Sequence, residues 1–223
     1  MLLLVFSGNG TQIINLETGE EIYQNLLSLS DFDICYNLAK QHHLHVHVYT
    51  DSAIISEGLL YMDLRNYMSN KNSTHLSFMI TKDISKYIHE NNFPIYKFVI
   101  SSQNNLSEIQ KELTSKLDVS INFVSKKGPY MDQVIQKEYE YLDIVPKNTG
   151  KAYALHVLSD FLDVDSSSVM AIGDNLNDID MLKNSGIGVA LSDSYEEVKK
   201  AASYTTTHTC PDSGFAEAIY HFL

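Results

Sequence analysis

Two hydrophobic periods alternate through residues 144–223. Ser168–Ile172 (SVMAI) is a short unbroken apolar run, the pattern of a strand buried on both faces. Gly188–Leu191 (GVAL) is a second such run and Tyr204–Thr207 a weaker third. Between them Ala154, Leu155, Leu158, Phe161 and Leu162 fall on one helical face. Ser194 with Glu197 reads as a capping-box start, with Lys199 and Lys200 toward the helix's C-terminal end. Strand–helix–strand alternation implies a parallel α/β sheet with right-handed crossovers. The middle of the chain differs. Gln12–Leu16 and Glu20–Leu26 flank Glu17-Thr18-Gly19 as a hairpin, Ser30 caps a helix over about residues 31–42, and Leu44–Tyr49 alternates like a strand. Helix and strand signals recur through Ile84–His89, Tyr96–Ser101, Leu106–Leu117, Ser120–Ser125 and Tyr139–Val145. Hairpins mixed with helices suggest an α+β unit inserted into the α/β one. Met1–Phe6, a buried-type strand, is assigned to the C-terminal sheet. The expected division is residues 1–16 and 144–223 for the α/β core and 17–143 for the insertion.

Composition narrows the partners. The 223 residues are 44% apolar, enough for a real core, and carry 16 basic against 28 acidic side chains, a formal charge of −12. All the basic residues but Arg65 are lysines. Such a chain is poorly suited to nucleic acid or anionic membrane surfaces. Cys35 and Cys210, far apart and without CxxC spacing, imply neither a disulfide framework nor a zinc cluster. The apolar opening Met1–Phe6 is too short to span a membrane and lacks a signal peptide's charged flank, so a cytoplasmic location is expected.

Candidate chemistry concentrates in Gly173-Asp174-Asn175-Leu176-Asn177-Asp178, directly after the SVMAI strand. Ligands of parallel α/β sheets bind beyond the carboxyl ends of strands. Asp174 and Asp178 offer the hard oxygen ligands that Mg²⁺ prefers, and Gly173 permits a tight turn. Asn177 sits where the next helix begins, to bond a phosphate oxygen or simply to cap that helix. Lys151, in PKNTGK, falls in the first turn of the helix carrying Leu155 and Leu158. A cation there opposes the helix dipole at a cost of a few tenths of a kcal/mol, which makes sense if the ammonium faces a phosphate or carboxylate. The duller alternative is a solvated surface lysine.

The Lys151 segment, GDNLND and Gly186-Ile-Gly188-Val-Ala-Leu191 together resemble the C-terminal half of haloacid dehalogenase (HAD) superfamily phosphatases, and more narrowly the Cof-type group with a class IIB cap. Asn9-Gly10, the hairpin and the order of the middle elements also fit that group. The resemblance implies an α/β fold: a HAD-like Rossmannoid parallel-sheet core, incomplete at the N-terminus, with an inserted α+β cap that sets substrate specificity. It implies hydrolysis of a small phosphorylated metabolite, a sugar phosphate or phosphorylated cofactor, through an aspartyl-phosphate with Mg²⁺. By that resemblance Lys151 holds the nucleophile and phosphate, Asp174 is the catalytic Mg²⁺ ligand and Asp178 supports the metal. Asn177 lies near the phosphate, while Asn9 and Gly10 line the substrate cleft.

Members of that family open with a strand ending in Asp-x-Asp, followed by a Ser/Thr motif on the next strand. This chain begins at what resembles the third core strand, so both motifs are expected to be missing and the chain to be inactive alone. Two readings follow: a shortened phosphatase, or a non-catalytic phosphate- or partner-binding relative. The strand 168–172 would keep one unpaired edge, to be met by Met1–Phe6 or by another chain, a route to a homo-oligomer. Smaller departures are Ala152, Asp193 and Ser213, where Gly, Asn and Asp are common. Asp31-Phe32-Asp33 has the Asp-x-Asp spelling but reads as a helix start, and Asp51 as a turn residue. His43, His45 and His47 would share one strand face, a pattern open to Zn²⁺ or Ni²⁺ but read here as an exposed sheet face.

Overall fold

The computed structural model describes residues 4–58, 77–125 and 140–222, and Arg65 lies outside them. The chain divides into two compact units, Met1–Tyr23 with Asn148–Leu223, and Gln24–Lys147.

In the first unit, β1 (Leu4–Ser7), β2 (Gln12–Asn15) and β3 (Glu21–Gln24) form an antiparallel sheet in chain order. The turn after β2 closes through Asn15 N–H to Glu20 C=O at 2.8 Å and Gly19 N–H to Asn15 C=O at 2.8 Å, which makes the expected hairpin. β1 corrects the expectation of a buried strand in the C-terminal sheet. Its partner is β2, and Val5 and Phe6 are 37% and 38% exposed. The physical reason is local: Gly8, Asn9 and Gly10 all adopt positive φ, and this left-handed turn folds the chain straight back on itself.

The C-terminal part of the unit is the strand–helix alternation read from the sequence. α4 (Lys151–Leu162) leads to β10 (Met170–Gly173), α5 (Ile179–Asn184), β11 (Ile187–Ala190), α6 (Glu196–Ala201), β12 (Tyr204–Thr205) and α7 (Gly214–Phe222). The three strands are parallel in the order β10-β11-β12. Ala171, Leu182, Ala190 and Val198 pack between sheet and helices. β10 starts two residues later than expected, because Asp165 caps a short 3₁₀ turn over Ser166–Ser168. Nor is β10 buried on both faces: Ala171 and Gly173 are buried while Met170 and Ile172 are only half-buried. The Ser194–Glu197 capping box does not form; α6 starts after Tyr195, and Ser194 N–H instead turns back to Leu191 C=O at 3.0 Å.

The second unit is a six-stranded mixed sheet in the order β6-β5-β4-β7-β9-β8. Its strands are β4 (His45–Tyr49), β5 (Ala53–Ser56), β6 (Ser77–Ile80), β7 (Lys97–Ser102), β8 (Val119–Ser125) and β9 (Glu140–Pro146). Val46, Val48, Phe98, Ile100, Leu142 and Ile144 project from one face onto a core shared with α1 (Leu29–Gln41), α2 (Ile84–Asn91) and α3 (Ser107–Lys116). Period-two alternation on the strands and helical spacing of Phe32, Cys35, Leu38 and Ala39 build that core. The cap of α1 is Ser28, whose hydroxyl accepts from Asp31 N–H at 3.0 Å, so Ser30 sits inside the helix. Asp31 lies in the first turn and Asp33 pairs with His89 at 2.9 Å, both structural roles for the Asp-x-Asp look-alike. His43 has φ 53° in the turn before β4, so it is not on a strand face with His45 and His47. His47 is 2% exposed, which corrects the exposed-face reading, and His45 Nε2 lies 3.1 Å from Ser56 Oγ.

Candidate active site

Beyond the carboxyl end of β10 the chain enters a short 3₁₀ turn, Leu176–Asp178, that leads into α5. Asn175 caps this turn: its Oδ1 accepts from Leu176 N–H at 2.7 Å, and its carbonyl accepts from Asp178 N–H at 2.9 Å. Asp178 reciprocates. Its Oδ2 accepts from the N–H groups of Asp174 at 3.1 Å and Asn175 at 3.0 Å. The loop is thereby held by a carboxylate on its own backbone, and Asp178 is only 2% exposed. Gly173 is required here, since a Cβ at that position would lie 2.5 Å from Asp178 Cβ.

Asp178 Oδ1 carries the second connection, an ion pair with Lys151 Nζ. Lys151 is the first residue of α4, after Gly150 at the N-cap with φ 128° and no side-chain cap. The cation therefore sits at the positive end of a helix dipole, and Asp178 offsets that repulsion. Lys151 remains 37% exposed, so part of its ammonium is still open to solvent. The turn after β1 abuts the same helix start. Gly10 has φ 86°, and a Cβ on it would lie 2.5 Å from the Gly150 carbonyl oxygen. A side chain at residue 10 would push the turn off α4.

A cavity of about 490 Å³ gathers these parts: Asn9, Gly10, Lys151, Asp174 and Asp178 line it, with Val5, Phe6 and Ile172 among its apolar walls. Of the residues singled out in the sequence, those five and Gly173 meet here. Asn177 is exposed and is not on the wall of this cavity. Asp174 is exposed at the mouth, whereas both oxygens of Asp178 are engaged by protein donors. Among the described residues, no three His, Cys, Asp or Glu side chains converge as a preformed metal cluster. The loop residue that sequence reasoning did not single out is Asn175, which caps the turn carrying Asp178. Its signal was present, since an Asn three residues before an acid just ahead of an apolar helix is a capping-box spelling.

Comparison with known proteins places this geometry in context. A family profile described as haloacid dehalogenase-like hydrolase matches residues 2–219. A Streptococcus pyogenes protein with a provisional phosphatase name is 30% identical over 222 residues, covering 96% of this chain and 74% of that protein. A Bacillus subtilis protein named as a 5-amino-6-(5-phospho-D-ribitylamino)uracil phosphatase is 38% identical over 94 residues, 39% of this chain and 37% of its own length. The crystal structure of a haloacid dehalogenase-like hydrolase from Bacteroides thetaiotaomicron superposes with a TM-score of 0.76 at 30% identity, covering 96% of this chain and 74% of that one.

Proposed function

The chain belongs to the haloacid dehalogenase-like hydrolases, and from that premise we propose that its cavity binds the phosphoryl group of a small phosphorylated metabolite together with Mg²⁺. The carrying observation is the Lys151–Asp178 pair at the joint mouth of a helix N-terminus and a strand C-terminus, with Asp174 exposed beside it. In this reading the ammonium of Lys151 takes one phosphoryl oxygen, and Asp178 holds that ammonium in place through Oδ1. The exposed carboxylate of Asp174 suits a hard divalent cation, whereas Asn177, exposed on the same loop, stands off the cavity wall. Asp178, occupied by three donors, is better suited to positioning Lys151 than to sharing the metal. Bound Mg²⁺ would neutralise phosphoryl charge. Asn9 and Gly10 line the same cavity and are proposed to face the substrate.

Attack on phosphorus needs a further group. Lys151 and Asp178 are committed to each other and Asp174 is assigned to the cation, so among the described residues lining the cavity no carboxylate is left as nucleophile. Uncatalysed hydrolysis of phosphate monoesters is among the slowest reactions in biology, so positioning alone gives no useful turnover. We propose therefore that these 223 residues by themselves bind phosphate and Mg²⁺ but hydrolyse phosphomonoesters negligibly. Sugar phosphates and phosphorylated cofactors are the proposed substrate class, in keeping with the phosphorylated ribitylaminouracil in the name of one relative. Residues 24–147 are proposed as the unit that selects among them, and a cytoplasmic location suits such substrates. Among the described residues no helix is long and apolar enough to cross a membrane.

Isothermal titration of the chain with inorganic phosphate, with and without Mg²⁺, tests the site. Binding that needs Mg²⁺ and is lost in both Lys151→Met and Asp174→Ala is the expected result. Absence of phosphate binding removes the site assignment. Turnover of p-nitrophenyl phosphate that disappears in Asp174→Ala overturns the inactivity.

A further inference from the structure

The loop that carries both acids has no core of its own to hold it. Asp174, Asn175, Leu176 and Asn177 are all exposed, between Gly173, buried at the end of β10, and Asp178, buried ahead of α5. Burial fixes the two ends, and hydrogen bonds must fix what lies between. Those bonds close on one residue. Asn175 has the extended backbone of an N-cap, with φ −122° and ψ 164°. Its Oδ1 accepts from Leu176 N–H at 2.7 Å and its carbonyl from Asp178 N–H at 2.9 Å. In return its own N–H donates to Asp178 Oδ2 at 3.0 Å, so Asn175 and Asp178 form a reciprocal capping box.

The other arm of Asp178 leads out of the loop. A carboxylate is rigid and planar, so the direction of Oδ2 sets the direction of Oδ1. Oδ2 is tied to the N–H groups of Asp174 and Asn175, and Oδ1 meets the ammonium of Lys151 on α4. Turning Oδ2 off the two N–H groups takes Oδ1 off Lys151. Asn175 itself is not on the cavity wall, so any effect it has on the cavity passes through Asp178. The choice of side chain also fits the position. Aspartate caps as well as asparagine, but it would add a third negative charge beside Asp174 and Asp178, against an anionic ligand.

We propose that Asn175 is a positioning residue: by capping the turn it aims the carboxylate of Asp178, and through it the ammonium of Lys151, at the phosphoryl group. The inference rests on the reading of this cavity as a phosphate site. It deepens that reading by assigning the aim of Lys151 to a side chain that touches neither phosphate nor metal. Without the cap the turn must be re-formed at each binding event, so the worth of the cap appears in the affinity. Replacing an N-cap asparagine by alanine typically corresponds to about fivefold in a binding constant, or about 1 kcal/mol.

The test reads Lys151 in the 223-residue chain without ligand, and then phosphate affinity with Mg²⁺. The ε-methylene NMR resonance of Lys151, assigned by its loss in Lys151→Met, should shift in Asn175→Ala toward the position it takes in Asp178→Asn. It should return in Asn175→Ser, because serine also caps. Titration with inorganic phosphate in Mg²⁺ should show about fivefold weaker binding in Asn175→Ala, and binding within about twofold of the native chain in Asn175→Ser. Asn175 is exposed, so both variants should keep the native circular dichroism spectrum. A cap that serves only its own loop leaves Lys151 unmoved. An unshifted resonance in Asn175→Ala therefore overturns the proposal, whatever the affinity does. So does a shift that Asn175→Ser fails to reverse, because capping is then not the means. If the native chain binds no phosphate the proposed function fails, while a resonance that shifts in Asn175→Ala and returns in Asn175→Ser still supports the positioning.

Discussion

Removing the carboxylate of Asp178 should loosen the candidate site and the unit around it together. Its Oδ2 takes two main-chain N–H bonds, from Asp174 and Asn175 at 3.1 and 3.0 Å, and its Oδ1 takes the Lys151 ammonium. Hydrogen bonds to a charged acceptor are worth about 1.5–3 kcal/mol each, but Asp174 and Asn175 are exposed, so water recovers part of that in Asp178→Ala. The ion pair adds only about 1 kcal/mol, because Lys151 is 37% exposed and stays hydrated when released. A net loss of about 2–4 kcal/mol follows. Asp178→Asn keeps the shape and one oxygen acceptor for the two N–H groups but turns an amide NH₂ toward the ammonium, so about 1–2 kcal/mol is expected. The chain has 14 tyrosines and no tryptophan, so urea unfolding is best followed by circular dichroism and tyrosine fluorescence. Phosphate binding should fall in both variants, since Lys151 loses its anchor. A loss below about 1 kcal/mol in Asp178→Ala, with phosphate affinity unchanged, would refute the clamp.

Three further outcomes are expected. Gly10→Ala should cost about 2–4 kcal/mol in urea unfolding, from the positive φ and the clash with the Gly150 carbonyl, and a loss under about 0.5 kcal/mol would contradict the close packing of this turn on α4. Burial, reinforced by the charge of Asp31, pushes the Cys35 thiol up to about 12, whereas Cys210 is exposed. A thiol reagent at pH 8 should therefore modify one cysteine in the native chain and two after denaturation; prompt reaction of both in the native state would contradict the packing around α1. The N–H of Thr207, with further bonds from His208 and the Thr207 hydroxyl, holds the Glu217 carboxyl down to about 2 from its ordinary 4.5. Its folded value is depressed, so the stabilisation is full above pH 4.5 and is lost as pH falls toward 2. The gap in thermal midpoint between the native chain and Glu217→Gln should close over that window, and a gap constant down to pH 2 would show that Glu217 does not hold this turn.

Local pattern determined a good deal by itself. The apolar runs around residues 170 and 189, separated by helical spacing, suffice to specify parallel β10 and β11 with α5 between them, because period and length leave few alternatives. GDNLND beyond a strand end and a lysine opening a helix were likewise legible as a loop and a helix start, and the structure pairs Lys151 with Asp178 there. What the pattern could not decide was partnership. Met1–Phe6 is apolar enough for a buried strand, yet the left-handed turn at Gly8–Gly10 commits β1 to a hairpin, leaving Val5 and Phe6 at an edge. Caps slid by residues, from Ser30 to Ser28 and from Ser194 to Tyr195, since several neighbouring side chains can bond the same free N–H groups and packing chooses among them. The different surroundings of two acids also came only from three dimensions. Asp174 and Asp178 are equivalent as letters. The turn closed by Asn175 buries Asp178 against Lys151 and leaves Asp174 facing solvent, a difference in burial and hydrogen bonding that only the folded loop creates.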